Sequence, residues 1–261
     1  MKDYSDYLIC SDYDGTLDYG GICEKNIQAI NYFTLHGGKF TLCTGRNCES
    51  FYSDKKIEFE INAPIIGLTG SQIYDGKTKT VIGQYCMDDN WADIVGEIIE
   101  NIEYEQTIEL VGVNDCCLIK TSDKDECLRM LSKCSQERLY KITGYTDYKG
   151  GAPLDPMLEA ICLNRCNVTS NGYGTYEITR FGVNKGFSAV RVKELVGAKK
   201  LICVGDFIGD ISMLKNADVS YAVGNAIDEV KAVADRVTVH AAEGAISAII
   251  ADIDSGKVSV K

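Results

Sequence analysis

Apolar residues fall into two textures along this chain. Towards both ends they form short unbroken runs, and in the middle they form helical stripes and looser alternation. Tyr7-Leu8-Ile9-Cys10-Ser11, Phe40-Thr41-Leu42-Cys43, Pro64-Ile65-Ile66-Gly67-Leu68, Leu201-Ile202-Cys203-Val204 and Ser220-Tyr221-Ala222-Val223 read as buried strands. Ile27, Ile30 and Phe33 recur at helical spacing from about Glu24, and Gly37-Gly38 stops that helix. Further helices are predicted over 185–196, from near Asp210, and over 244–253. Strand, helix, strand at these spacings points to βαβ units and a parallel sheet.

The middle reads differently. Residues 72–85 suggest a hairpin turning at Asp75-Gly76. Trp91, Ile94, Val95, Ile98, Ile99 and Ile102 form one helical stripe. Two short strand-like runs end near Ile119, and a helix from about Lys124 carries Leu128 and Leu131. The stretch 139–151 is looser, and 158–163 and 176–179 read as strands. Tyr145, Tyr148, Tyr173 and Tyr176 are half-buried sheet residues or the lining of a pocket. The simplest organisation is an α/β core built from residues 1–76 and 180–261, with a more α+β domain, 77–179, inserted between them.

Composition narrows the function. The chain has 261 residues, 45% of them hydrophobic, which is enough for a substantial core. A formal net charge of -11 argues against nucleic acid and anionic membranes as partners. Any phosphate site must then be made locally positive by a metal and a few cations. The 12 Cys are scattered with no Cys-x-x-Cys, so free thiols in a reducing cytoplasm are expected; a disulfide-built secreted protein is the alternative. Met1 to Tyr7 are polar and the apolar run after them is short, so no secretory leader is expected. No apolar stretch is long enough to span a bilayer.

Asp12-Tyr13-Asp14-Gly15-Thr16 follows the first strand directly. On an extended segment residues two apart point the same way, so both carboxylates can face one site. Packed without compensation they repel. A divalent cation removes the conflict, and hard oxygen ligands select Mg²⁺. Ligand sites of open α/β sheets lie at the carboxyl ends of strands, where this motif falls. An Asx-rich turn closed by Gly is the other reading. Thr44-Gly45-Arg46 ends the second strand; its hydroxyl and bare amide can hold a phosphate oxygen, or it is an ordinary turn. Lys185 opens a helix against the dipole preference, which suits a bound anion or simply a solvated side chain. Gly205-Asp206-Phe207-Ile208-Gly209-Asp210 follows a later strand, and its carboxylates can complete a Mg²⁺ shell or sit in a plain loop.

In this order, Asp pair, Thr, Lys and second Asp pair resemble the haloacid dehalogenase (HAD) superfamily. Their spacing is similar to its Cof-type branch, which carries a large C2-type cap. Asp12, Asp14, Gly15 and Thr16 match the first motif, Thr44 the second, Lys185 the third, and Gly205-Asp206 with Asp210 the fourth. Ala222-Val223-Gly224-Asn225-Ala226 also looks like a segment of that branch. The resemblance implies a Rossmann-like parallel-sheet core with an inserted α+β cap that supplies specificity. It implies a Mg²⁺-dependent phosphatase for a small phosphorylated metabolite, such as a sugar phosphate, since a capped site excludes large substrates. Asp12 would attack phosphorus to form an aspartyl-phosphate, and Asp14 would act as acid and then base. The Asp12 carboxylate, the Asp14 backbone carbonyl and Asp206 would hold Mg²⁺, with Asp210 a ligand or the support of one. Thr44, the Gly45 amide and Lys185 would hold the phosphoryl oxygens. The pattern departs at Gly209, where the family commonly has Asn, and at Thr69-Gly70, where it often has Asn-Gly.

Three other functions share some of these features. A mutase-type phosphoryl transferase needs a second phosphate site, and the middle of the chain shows no obvious basic cluster for one. A degenerate HAD protein would bind phosphate without turnover. A response-regulator receiver is shorter and carries its Asp on a middle strand. Neither His36 nor His240 lies in a nucleophile or zinc motif, and no nucleotide fingerprint implies an organic cofactor.

Overall fold

The computed structural model describes residues 2–54, 57–102, 104–134, 136–146, 154–172 and 174–258. The first part of the chain forms β1 (Tyr7–Ser11), α1 (Glu24–Leu35), β2 (Lys39–Leu42), α2 (Cys48–Asp54), β3 (Ile65–Gly67), β4 (Gln72–Asp75) and β5 (Thr80–Gln84). The middle forms α3 (Trp91–Asn101), β6 (Gln106–Gly112), β7 (Cys116–Lys120), α4 (Lys124–Cys134), β8 (Leu139–Thr146), α5 (Pro156–Cys162), β9 (Cys166–Gly172) and β10 (Thr175–Arg180). The last part forms α6 (Lys185–Val196), β11 (Lys200–Gly205), α7 (Ile211–Lys215), β12 (Val219–Ala222), α8 (Asp228–Val233), β13 (Arg236–Val237) and α9 (Ala245–Asp254). Among the described residues, no helix is long and apolar enough to cross a membrane.

The chain divides into two compact units, Met1–Gly83 with Asn184–Lys261, and Gln84–Val183. In the first, a parallel sheet runs in the order β13-β12-β11-β1-β2. A parallel bridge from Cys43 to Ile66 continues it to β3, which turns back antiparallel through β4. β1 is paired on both edges, and Leu8, Ile9 and Cys10 are fully buried. A strand covered on both faces has to be apolar throughout, which is why its sequence shows no alternation. The registers Ser11–Val204 and Ser11–Leu42 bring the carboxyl ends of β1, β11 and β2 level. Helix α6 starts where the Asn184 side chain accepts from the Phe187 N–H at 2.9 Å, and it ends at Gly197 with φ +70°.

The second unit holds an antiparallel sheet ordered β7-β6-β8-β10-β9. The α3 stripe of Trp91, Ile94, Val95, Ile98 and Ile99 packs with Ile108, Leu110, Ile119, Ile142 and Ile178 of that sheet. Each such side chain contributes roughly 1.5–3 kcal/mol. The other pleat of the strands carries Lys141, Thr143, Glu177 and Thr179, and Lys141 forms a buried ion pair with Glu177. The Tyr176 hydroxyl donates to Gln106 Oε1 at 2.6 Å, and the exposed Tyr145 donates to Glu109 at 2.7 Å. Tyr148 and Tyr173 lie outside the described residues, as do 147–151 of the looser stretch, whose first part is β8.

The division between the units falls a few residues beyond 77 and 179: β5 joins the β3-β4 sheet of the first unit, and β10 continues to Arg180, paired with Cys166. One expectation needs correction. Residues 158–163 are mainly helical, not a strand. Pro156 occupies the first turn of α5, and the Asp155 side chain caps it by accepting from the Met157 N–H at 2.7 Å.

Candidate active site

Four strand ends and one helix start frame the site. Asp12 follows β1, Thr44 and Gly45 follow β2, Asp206 follows β11, Asn225 lies beyond β12, and Lys185 is the first residue of α6. Lys185 Nζ donates to Asp12 Oδ1 at 2.7 Å and to Asp210 Oδ1 at 2.6 Å. All three residues are buried. Carboxylate oxygens of Asp12, Asp206 and Asp210 lie within 4.8 Å of one another. The Thr16 hydroxyl donates to Asp206 Oδ1 at 2.7 Å. The other Asp210 oxygen accepts from the main-chain N–H groups of Asp206 and Phe207, at 2.9 and 3.1 Å.

The charges are unbalanced. Burial, and then the Asp210 charge, push the Asp12 carboxyl well above the usual carboxylate range against the pull of Lys185. Burial and Asp210 also raise Asp206, to about 6. Burial disfavours the Lys185 ammonium, but Asp12 and Asp210 outweigh it and hold the group charged. One cation facing three clustered carboxylates leaves an all-oxygen set short of positive charge. That donor chemistry fits a hard divalent cation.

Glycines permit the close packing. Gly15 has φ +88°, and a Cβ there would fall on the Asp206 carboxylate. Its carbonyl accepts from Asn225 Nδ2 at 2.8 Å, and Asn225 Oδ1 accepts from the Ala241 N–H at 2.9 Å. A Cβ on Gly70, at φ +102°, would fall on the Asn184 carbonyl, and the Gly70 carbonyl accepts from Ser188 Oγ at 2.6 Å. The turn Leu68–Gly70 therefore lies directly against the start of α6. Thr69 in this turn has φ +59°, a left-handed conformation that a β-branched residue rarely adopts and Asn adopts more readily. The Thr69 N–H donates to the Thr44 carbonyl at 3.2 Å.

Asp14 departs from expectation. Its carboxylate is not one of the three clustered acids; it is exposed and paired with Arg46 through bonds of 2.8 and 2.6 Å. The period-two argument fails because β1 ends at Ser11, before the motif begins. Arg46 thus forms a surface pair, and its main-chain N–H donates to Thr44 Oγ1 at 3.2 Å. Thr16 and Asn225 lie in segments that resemble the family, but their bonds to Asp206 and to the Gly15 carbonyl depend on distant segments meeting, and Ser188 lies in no motif.

A Rossmann-like sheet with clustered acids and a buried Lys at its carboxyl edge defines a class. The haloacid dehalogenase-like hydrolase family matches residues 9–250. The chain belongs to that family and is a Cof-type phosphatase within it. Phosphoglycolate phosphatase 2 of Saccharolobus solfataricus is 37% identical over 243 residues, covering 90% of this chain and 86% of its own. The 5-amino-6-(5-phospho-D-ribitylamino)uracil phosphatase YcsE of Bacillus subtilis is 31% identical, covering 88% of this chain and 89% of its own. The solved structure of the HAD subclass IIB sugar phosphatase BT4131 shares the fold with a TM-score of 0.75 at 20% identity, covering 96% of this chain and 99% of its own.

Proposed function

We propose that this phosphatase hydrolyses the phosphomonoester of a small metabolite, of the sugar-phosphate class, with Mg²⁺ and through a phospho-Asp12 intermediate. The observation that carries the reading is Lys185 Nζ set between Asp12 and Asp210 at the carboxyl edge of the sheet. Asp12 forms the new O–P bond as the ester O–P bond breaks, and Asp14 gives its proton to the departing alcohol oxygen. Asp14 then takes a proton from water, whose oxygen attacks phosphorus and returns Asp12 as a carboxylate with free phosphate. Lys185, Thr44 and the Gly45 amide hold the phosphoryl oxygens, so the protein's task is chiefly positioning and charge. The Asp12 carboxylate, the Asp14 backbone carbonyl, Asp206 and Asp210 would hold Mg²⁺, which when bound supplies the positive charge the cluster lacks.

The unit Met1–Gly83 with Asn184–Lys261 serves as the catalytic core and Gln84–Val183 as the specificity cap. The relatives' named substrates, phosphoglycolate and a ribityl phosphate, support a small metabolite. Free thiols at all twelve cysteines suit a reducing cytoplasm. The test is turnover of an aryl phosphate by wild type and Asp12→Asn, with Mg²⁺ and with chelator. Activity should need Mg²⁺ and fall at least ~10³-fold in the variant. Retained activity in Asp12→Asn would sink the mechanism. A panel of hexose phosphates, phosphoglycolate and ribityl phosphates then ranks substrates.

A further inference from the structure

Arg46 grips Asp14 with a fork. Its Nε donates to Oδ2 at 2.8 Å and its Nη2 to Oδ1 at 2.6 Å. The guanidinium carbon lies 5.9 Å from the centre of the Tyr13 ring, whose hydroxyl donates to Asp18 Oδ2 at 3.0 Å. Through its main chain the same residue donates to Thr44 Oγ1. One side chain thus fixes Asp14 while its own backbone is tied to Thr44. The Arg46 and Asp14 side chains are 49% and 56% exposed. A pair that wet adds little to fold stability, so stability is a poor account of a two-bond fork.

We infer that Arg46 is the positioning residue for Asp14, an inference that rests on the acid–base role proposed above. The two bonds separate when the carboxyl carries a proton. A proton on Oδ1 displaces the Nη2 contact, while the Nε bond to Oδ2 persists and fixes the orientation. Oδ1 then gives its proton to the departing alkoxide as the ester O–P bond breaks. The full fork re-forms on the carboxylate, and it opens again when Oδ1 takes a proton from the attacking water. Without Arg46 an exposed Asp side chain samples other rotamers, and the effective concentration of the acid at the leaving oxygen falls.

Leaving-group dependence tests this. An alkyl phosphate needs a proton on its departing oxygen, whereas a nitrophenyl phosphate releases a stable phenolate. kcat/KM reports the steps up to release of the alcohol, so it is measured with Mg²⁺ on both esters for wild type, Arg46→Gln, Arg46→Lys and Asp14→Asn. Arg46→Gln is expected to lower the alkyl value about ten- to a hundredfold and the aryl value less than about threefold, a share of what general acid catalysis supplies. Arg46→Lys, a point charge on one oxygen, should restore part of the alkyl activity. A merely structural role would lower both esters by one factor, and that result overturns the inference. If Asp14→Asn is itself unselective, the acid role of Asp14 falls, and Arg46 with it. If Asp14→Asn is selective and Arg46→Gln is not, only the assignment of Arg46 falls.

Discussion

Without metal, the acid cluster works against the fold at neutral pH, and Asp206 is where this can be measured. Burial, then the Asp210 charge, lift its carboxyl from 3.8 to about 6 despite Thr16 and Lys185. At 1.36 kcal/mol per pH unit, that difference is at most on the order of 3 kcal/mol, and partial wetting reduces it. The folded value lies above the unfolded one. The contribution is therefore fully present below pH 3.8 and is lost as pH rises through about 6. Asp206→Asn removes the charge and keeps an oxygen for the Thr16 hydroxyl. The chelated variant should then match wild type near about pH 4 and exceed it by up to ~3 kcal/mol near about pH 7.5. Urea unfolding of chelator-treated proteins at both pH values measures the difference. Mg²⁺ should reverse the order, because a ligand that binds only the folded state stabilises it by mass action. A gap between variant and wild type that does not change with pH would refute the account.

Two further substitutions probe the packing. Gly70→Ala places a Cβ on the Asn184 carbonyl at φ +102°, where no side chain can yield. It should cost ~2–4 kcal/mol and lower aryl phosphate turnover together; an unchanged melting curve would show that the approach is not tight. Lys141→Met leaves Glu177 buried without its ammonium and should cost about 3–5 kcal/mol. Adding Glu177→Leu should recover most of that loss, and failure of the double variant to recover would mean that packing, not charge, dominates there.

The central strands of the parallel sheet are easy to read in this chain, because they are apolar along almost their whole length. Residues 7–11 read as a strand with the same limits as β1, and 185–196 as a helix with the limits of α6, which Asn184 and Gly197 mark. Residues 158–163 mislead because apolar content alone resembles a strand, and the Asp155-Pro156 start signal outweighs it. β8 reads as loose because its alternation buries Lys141 and Thr143 where apolar residues are expected. At the site, motif order reveals which residues meet, including Lys185 and Asp12, 173 positions apart. It does not reveal side-chain direction once the strand has ended, so the pairing of Asp14 with Arg46 is visible only in three dimensions.

β1 gains its two neighbours at very different times. Its ladder with β2 closes within the first part of the chain, whereas the other ladder joins Tyr7 to Lys200. During synthesis all of Gln84–Val183 emerges between them. That continuous stretch can fold as it appears, while the discontinuous unit must wait for its second half. Until then Leu8, Ile9 and Cys10 present an unpaired strand edge, the kind that recruits other chains. A nascent or truncated chain that stops short of Lys200 is therefore the form of this protein most exposed to aggregation and most in need of a chaperone.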